Sequence, residues 1–227
     1  MEIDKKNEND KDIFNANNFN FSSNINTLYL NKKKFSKPVL NFNKRNDIYD
    51  FLNVKLTDSD YFHKISIKTE NMENIFYLDS TNASELFKLI DLDLNIESGN
   101  LEVTGRKSVN SIKYDGLISG KDFVLRDGPF ITDFLTLFSL KGLTQKLKGG
   151  GIFFESFEGK YQYNDNQLNI KDSLIKGSEL GIQFDAEMNM EDETFSAKGS
   201  FIPAYTINTL LTKFPIVGDI ITAGSPE

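Results

Sequence analysis

Histidine occurs once in the 227 residues, at His63, and cysteine does not occur. That removes most routes to an activated nucleophile before any fold is considered. A Ser-His-Asp arrangement would have to be built on His63; thiolate catalysis and Cys-bound zinc are out, and a His-rich metal site lacks its ligands. His63 itself reads as a strand-edge or loop residue. Gly149-Gly150-Gly151 lacks the Gly-Lys-Ser/Thr of a phosphate-binding loop, and Lys148 precedes the glycines instead of following them. Carboxylates are plentiful, and a pair of them could do glycosidic chemistry. Yet Asp91 and Asp93 sit among apolar neighbours, and Glu191-Asp192-Glu193 falls in an expected turn. Both clusters read as solvated strand-edge and turn usage. The sequons Asn20-Phe21-Ser22 and Asn82-Ala83-Ser84 matter only in a glycosylating secretory pathway. The chain is therefore expected to be non-enzymatic, with no cofactor and no metal.

Charge narrows the partners. A net charge of −7 argues against nucleic acid, since holding a polyanion needs a basic surface that releases counterions. It argues equally against docking on anionic lipid through a polybasic patch. Lys32-Lys33-Lys34, the one basic run, reads as a solvated turn. Met1 to Asp12 is polar and charged without an apolar core segment, so no signal peptide is visible, and no window approaches eighteen apolar residues. The chain expressed alone is expected to stay where it is made, in the cytoplasm.

The elements come from period and punctuation. Residues 1–18 read as a polar disordered lead, and 19–227 as a single unit with no linker to divide it. Phe19 and Phe21, then Ile25, Leu28 and Leu30, start a sheet, with weaker strands at 39–42 and 52–56. Ile65 with Ile67 and Ile75 with Tyr77 flank Asn71-Met72-Glu73-Asn74 as a hairpin. Asn82 and Glu85 have the spacing of a helix cap and its partner, with Leu86, Leu89 and Ile90 as the apolar stripe behind them. Strands are expected at 94–96, 101–103, 112–114 and 123–125, with Ser98-Gly99-Asn100 as a turn.

After Asp127-Gly128-Pro129 a greasy helical pattern runs through Phe130, Phe134 and Phe138 to Leu147. Then Phe153, Phe157, Gly159, Tyr161 and Tyr163 share one parity, followed by an Asn164-Asp165-Asn166 turn and by Leu168 and Ile170. Ile182, Phe184, Ala186 and Met188 alternate with polar residues, as do Phe195, Ala197 and Phe201. A period of two over that length means a sheet with one apolar and one wet face. The last pattern is helical: Ile207, Leu210, Leu211 and Phe214 fall on one face, Pro215 ends it, and Ile216, Val217, Ile220 and Ile221 form a smaller patch.

The run "DGPFITDFLTLFSLKGLTQKLKGGGIFFESFEGKY", with Gly199-Ser200-Phe201-Ile202-Pro203-Ala204-Tyr205 and Phe214-Pro215-Ile216-Val217-Gly218, resembles the C-terminal region of AsmA-like proteins of the YhdP branch. Asp79 to Gly105 also looks like that family, so the resemblance covers about residues 65–224 and is strongest over 128–224. Its motifs are structural, with no catalytic member. It implies a mainly β fold with short α-helices: a long curved antiparallel sheet forming an open apolar groove, capped by amphipathic helices. Such proteins are bridge-like lipid-transfer proteins of the bacterial envelope, on the periplasmic side of the inner membrane. The family is much longer and membrane-anchored, so this chain is expected to be a fragment.

The resemblance implies phospholipid acyl chains as ligand and envelope membranes or membrane proteins as partners. Groove candidates are Ile182, Phe184, Ala186, Met188, Phe195, Ala197 and Phe201. Phe130, Phe134 and Phe138, with Ile207, Leu210, Leu211, Phe214 and Ile220, are candidates for capping or membrane-contact helices. The same residues could equally form an ordinary core under short helices. Two other roles stay open: an outer-membrane assembly factor or scaffold that pairs its sheet edges with client strands, and a non-functional remnant.

Overall fold

The computed structural model describes residues 18–45, 48–92, 95–126, 150–178, 180–192 and 194–203. In chain order the elements are β1 (Asn18–Ser22), β2 (Thr27–Leu30), β3 (Lys33–Ser36), β4 (Val39–Arg45), β5 (Ile48–Thr57), β6 (Phe62–Glu70), β7 (Glu73–Ser80) and α1 (Ala83–Leu89). β8 (Ile96–Ser108), β9 (Tyr114–Leu125), β10 (Ile152–Asn164), β11 (Gln167–Lys176), β12 (Leu180–Asn189) and β13 (Thr194–Pro203) follow. The protein is mainly β. One antiparallel sheet of eleven strands, β1 and then β4 to β13 in sequence order, runs open from edge to edge without closing into a barrel. The hairpin β2–β3 is a separate two-stranded sheet inserted between β1 and β4.

Turn chemistry explains the meander. Asn71-Met72 and Asp165-Asn166 have positive φ at both positions, the conformation whose twist matches the strands it joins, and it costs Asn and Asp least. The expected hairpins at both places are present. Helix α1 starts at the expected cap: the Asn82 side chain accepts from the Glu85 backbone N–H at 3.1 Å, satisfying one of the donors a helix start leaves open. The expected return bond is replaced: the Asn82 N–H donates to Ser80 Oγ at 3.2 Å, and the Glu85 carboxylate pairs with Lys33 and Lys88. Leu86 and Leu89 are buried, whereas Ile90 closes the helix and is 62% exposed.

Two expectations are corrected, both by a change of face inside a strand. Ser98-Gly99-Asn100 is no turn: it lies within β8, where Ser98 and Gly99 have φ of 58° and 88°. The segments at 94–96 and 101–103 are therefore not separate strands, and Ile96 and Leu101 belong to one. In β10 the inward residue of the first turn of pleat is Phe154, 1% exposed, and not Phe153, which is 47% exposed. Phe154 and Phe157 pack on the same core although three positions apart, so the strand swaps faces between them. In the β6–β7 hairpin Ile67 pairs with Phe76 and Ile65 with Leu78; Ile75 and Tyr77 lie on the other face.

The swap is shared. β8, β9 and β10 keep constant register through it, with Asp122 of β9 at φ 55°. In β11 an extra residue is inserted at Lys171-Asp172, shifting register against both neighbours. A bulge of this kind lets residues of opposite parity face one way. Phe123 and Leu125 thereby join Phe154, Ile175, Ile182, Phe184 and Ala186 in one buried cluster.

Of the lead expected at 1–18, Asn18 is already the first residue of β1; residues 1–17 and the helical patterns over 129–147 and 204–213 lie outside the described residues. So do their candidates Phe130, Phe134, Phe138, Ile207, Leu210, Leu211, Phe214 and Ile220.

Candidate functional site

Residues directly opposite each other in antiparallel strands project from the same face, so register traces rows across the sheet. One row runs Phe21, Phe42, Leu52, Ile67, Phe76 and Gly105. It continues through Gly116, Tyr161, Ile170, Ala186 and Ala197 to the last strand. No charged residue interrupts it. Most of its members are half-buried, and Phe21 at the first edge is 38% exposed. There Phe19, Phe21 and Phe42 stack, with ring centroids 5.3 to 6.5 Å apart.

A second row on the same face is closed. It passes through Leu56, His63, Ser80 and Leu101 to Gly120, Phe157, Ile175 and Ile182. Leu56, His63, Ser80, Leu101, Ile175 and Ile182 are all less than a tenth exposed. Over the first strands the cover is local. Leu28 and Phe35 of the hairpin pack with Leu56 and Leu89, while Ala83 and Leu86 of α1 pack on Leu101. Lys33 of the hairpin is paired with Glu85 of α1, which also takes Lys88 at 2.9 Å. These partners hold the Glu85 carboxyl below its ordinary value, Lys33 most strongly, against the opposing effect of burial. Asn31 Nδ2 donates to the Leu89 carbonyl at 2.8 Å, tying hairpin to helix a second time.

The groove candidates of β12 and β13 share this face. Ile182 is opposite Phe201, Ala186 opposite Ala197, and Met188 opposite Phe195; Phe184 faces Gly199. Ile182, Phe184 and Ala186 are 1%, 9% and 4% exposed within the buried cluster, and Phe195 and Ala197 pack against it. Met188 is half-buried, and the Phe201 side chain is outside the described set.

His63 is neither an edge nor a loop residue. It is 2% exposed in β6, one of the inner strands, with Nδ1 2.8 Å from Ser80 Oγ. Burial lowers its pKa, Glu85 opposes that, and Lys33 adds to it. Both side chains of the pair are buried, with Ser80 0% exposed.

The opposite face is wet. Lys64, Asp79 and Glu102 are successive partners there, Lys64 Nζ lies 6.0 Å from the Tyr77 ring centre, and Lys55 Nζ 5.4 Å from that of Phe62. Among the described residues no group of His, Asp and Glu could hold a metal ion, and no helix is long and apolar enough to cross a membrane.

None of the known protein families, curated proteins or solved structures compared with this chain matches it.

Sequence reasoning gave weight to β10–β13 and overlooked the open row over β1 to β7. The signal was present: Leu40 and Phe42, Leu52, Val54 and Leu56, and Phe76 and Leu78 alternate within their strands. Each run is short, and only pairing joins them.

Proposed function

We propose that this chain is a non-enzymatic lipid-binding element of a bacterial envelope, an AsmA-like C-terminal segment that holds phospholipid acyl chains along its sheet and contributes to a conduit between membranes. The observation that supports the reading most is the uncharged row from Phe21 to Ala197, carried by register across eleven strands and partly exposed along most of its length, with Ala186 buried. Apolar surface left in water costs roughly 25 cal/mol per Å², so a row of this length gains from an apolar occupant. Acyl chains suit it because dispersion and the hydrophobic effect are non-directional, and a chain can slide without breaking a specific bond. The charged opposite face keeps the element in water. Ile182, Phe184 and Ala186 would serve as the wall where the open row meets the packed cluster.

Lipid analysis after detergent-free purification tests this. The wild type is expected to carry phospholipid in near-stoichiometric amount, and a Leu52→Asp, Ile67→Asp pair that keeps its β circular dichroism is expected to carry little. A lipid-free wild type would remove the conduit.

A second reading is favoured by the open sheet: β1 and β13 are its outermost strands, and unpaired strand edges recruit other strands. A lipid-free protein that bound unfolded barrel strands would support that assembly role.

A further inference from the structure

The hairpin β2–β3 belongs to neither edge of the main sheet, yet it lies over the buried row, and the chain's one histidine lies beneath it. Phe35 of β3, 0% exposed, meets the His63 ring edge-on at 6.3 Å, and Tyr61 tilts against that ring at 5.1 Å. An imidazolium carries two N–H donors and needs an acceptor for each. Nδ1 has Ser80 Oγ at 2.8 Å. Nε2 is buried and has no hydrogen-bond partner.

The charged neighbours do not supply one. Lys33 on β3 and Glu85 on α1 are committed to each other, with Lys88 on the same carboxylate. In the β5–β6 loop Asp58 bonds the Tyr61 hydroxyl, and Asp60 lies beyond it. β7 offers Ser80 and β5 offers Leu56. A buried charge without its partners is costly.

We infer that the β2–β3 hairpin is an acid-released cover: a proton on His63 unseats it and opens the row at Leu56 and His63 on the apolar face, where Leu28 and Phe35 now sit. Outside its hydrophobic seat, side-chain ties to α1 hold it, namely the Lys33–Glu85 pair and the Asn31 amide. The sign follows from linkage. With the closed-state value lowered mainly by burial, closed and open forms are both neutral above the ordinary histidine value. As pH falls below it the open form takes the proton first, and the closed form loses stability until its own value is passed. The inference is independent of what the face binds.

Because His63 is the only histidine, its ring protons can be followed by NMR in the whole protein without ambiguity. His63 is expected to titrate below the ordinary value of 6.5. Between about pH 7.5 and about pH 5, amides of β2 and β3 should lose hydrogen-exchange protection, corrected for intrinsic rate, by severalfold. The upper limit is about thirtyfold, reached if the closed form never takes the proton. Amides of β10 to β12 should hold theirs. His63→Leu should remove the pH dependence; should that variant not fold, His63→Asn serves. Titration at or above the ordinary value, unchanged protection in the hairpin, or a pH dependence that survives the substitution would each overturn the inference.

Discussion

Tyr161 lies against Gly116, its partner in the neighbouring strand: a Cβ built on Gly116 would sit 2.7 Å from Tyr161 Cε1. The ring reaches on to Gly105, where a Cβ would meet the phenol oxygen at 2.3 Å. The two glycines form a low floor in the open row, and one aromatic side chain fills it. Burial, with Tyr114 and Asp115 nearby, raises the phenol to about 12.

The two glycines are expected to respond differently to substitution. At Gly116 the nearest atom to a new Cβ is the Thr104 carbonyl oxygen, at 1.9 Å, which is backbone. At Gly105 it is the Tyr161 hydroxyl. Both Gly→Ala changes should destabilise by about 1–3 kcal/mol through overpacking. Tyr161→Phe should relieve much of the cost at Gly105 and little at Gly116. Denaturant midpoints of the double variants check this; equal relief at both sites would mean that the ring does not discriminate between them.

The change of face in β10 makes two adjacent phenylalanines unequal. Phe154→Ala should cost about 3–5 kcal/mol, the range for a buried aromatic. Phe153→Ala, at an exposed position, should stay within about 0.5 kcal/mol. Urea unfolding of both variants decides it, and a reversed order would place the face swap elsewhere in the strand.

Removing the cap of α1 should loosen the cover it shares with the hairpin. Asn82→Ala is expected to cost about 1 kcal/mol and Asn82→Asp or Asn82→Ser much less, since either restores a side-chain oxygen for the Glu85 amide. Thermal melts of the three variants test it. If all three melted alike, the cap would contribute nothing.

Glu85 gives a second pH dependence, at lower pH than that of His63. Its folded-state value is depressed, first by Lys33, so its contribution is complete above the ordinary value of 4.5 and is lost as pH falls through the folded-state value. The gap in melting temperature between wild type and Glu85→Gln should therefore be widest near neutral pH and close in acid. A gap that stayed constant down to about pH 3 would show that the carboxylate is not coupled to folding.

Local pattern alone determined much of this protein. The period of two marked most of the strands, the Asn and Asp residues of short polar runs marked the β6–β7 and β10–β11 turns, and the Asn82–Glu85 spacing marked the helix start. These signals lie within a few residues of one another, so no knowledge of the fold is needed to read them. Tertiary structure decided the rest. One inserted residue or one left-handed residue reverses the parity of everything beyond it, so the inward side of β8 and β10 could not be counted along the chain. Likewise, whether an apolar row is core or open surface depends on what lies over it. His63 is buried because Phe35 and Ser80 reach it from other elements, and the cover closes through Lys33 and Glu85, 52 residues apart. Alternation specifies a face; only packing between distant segments specifies what covers it.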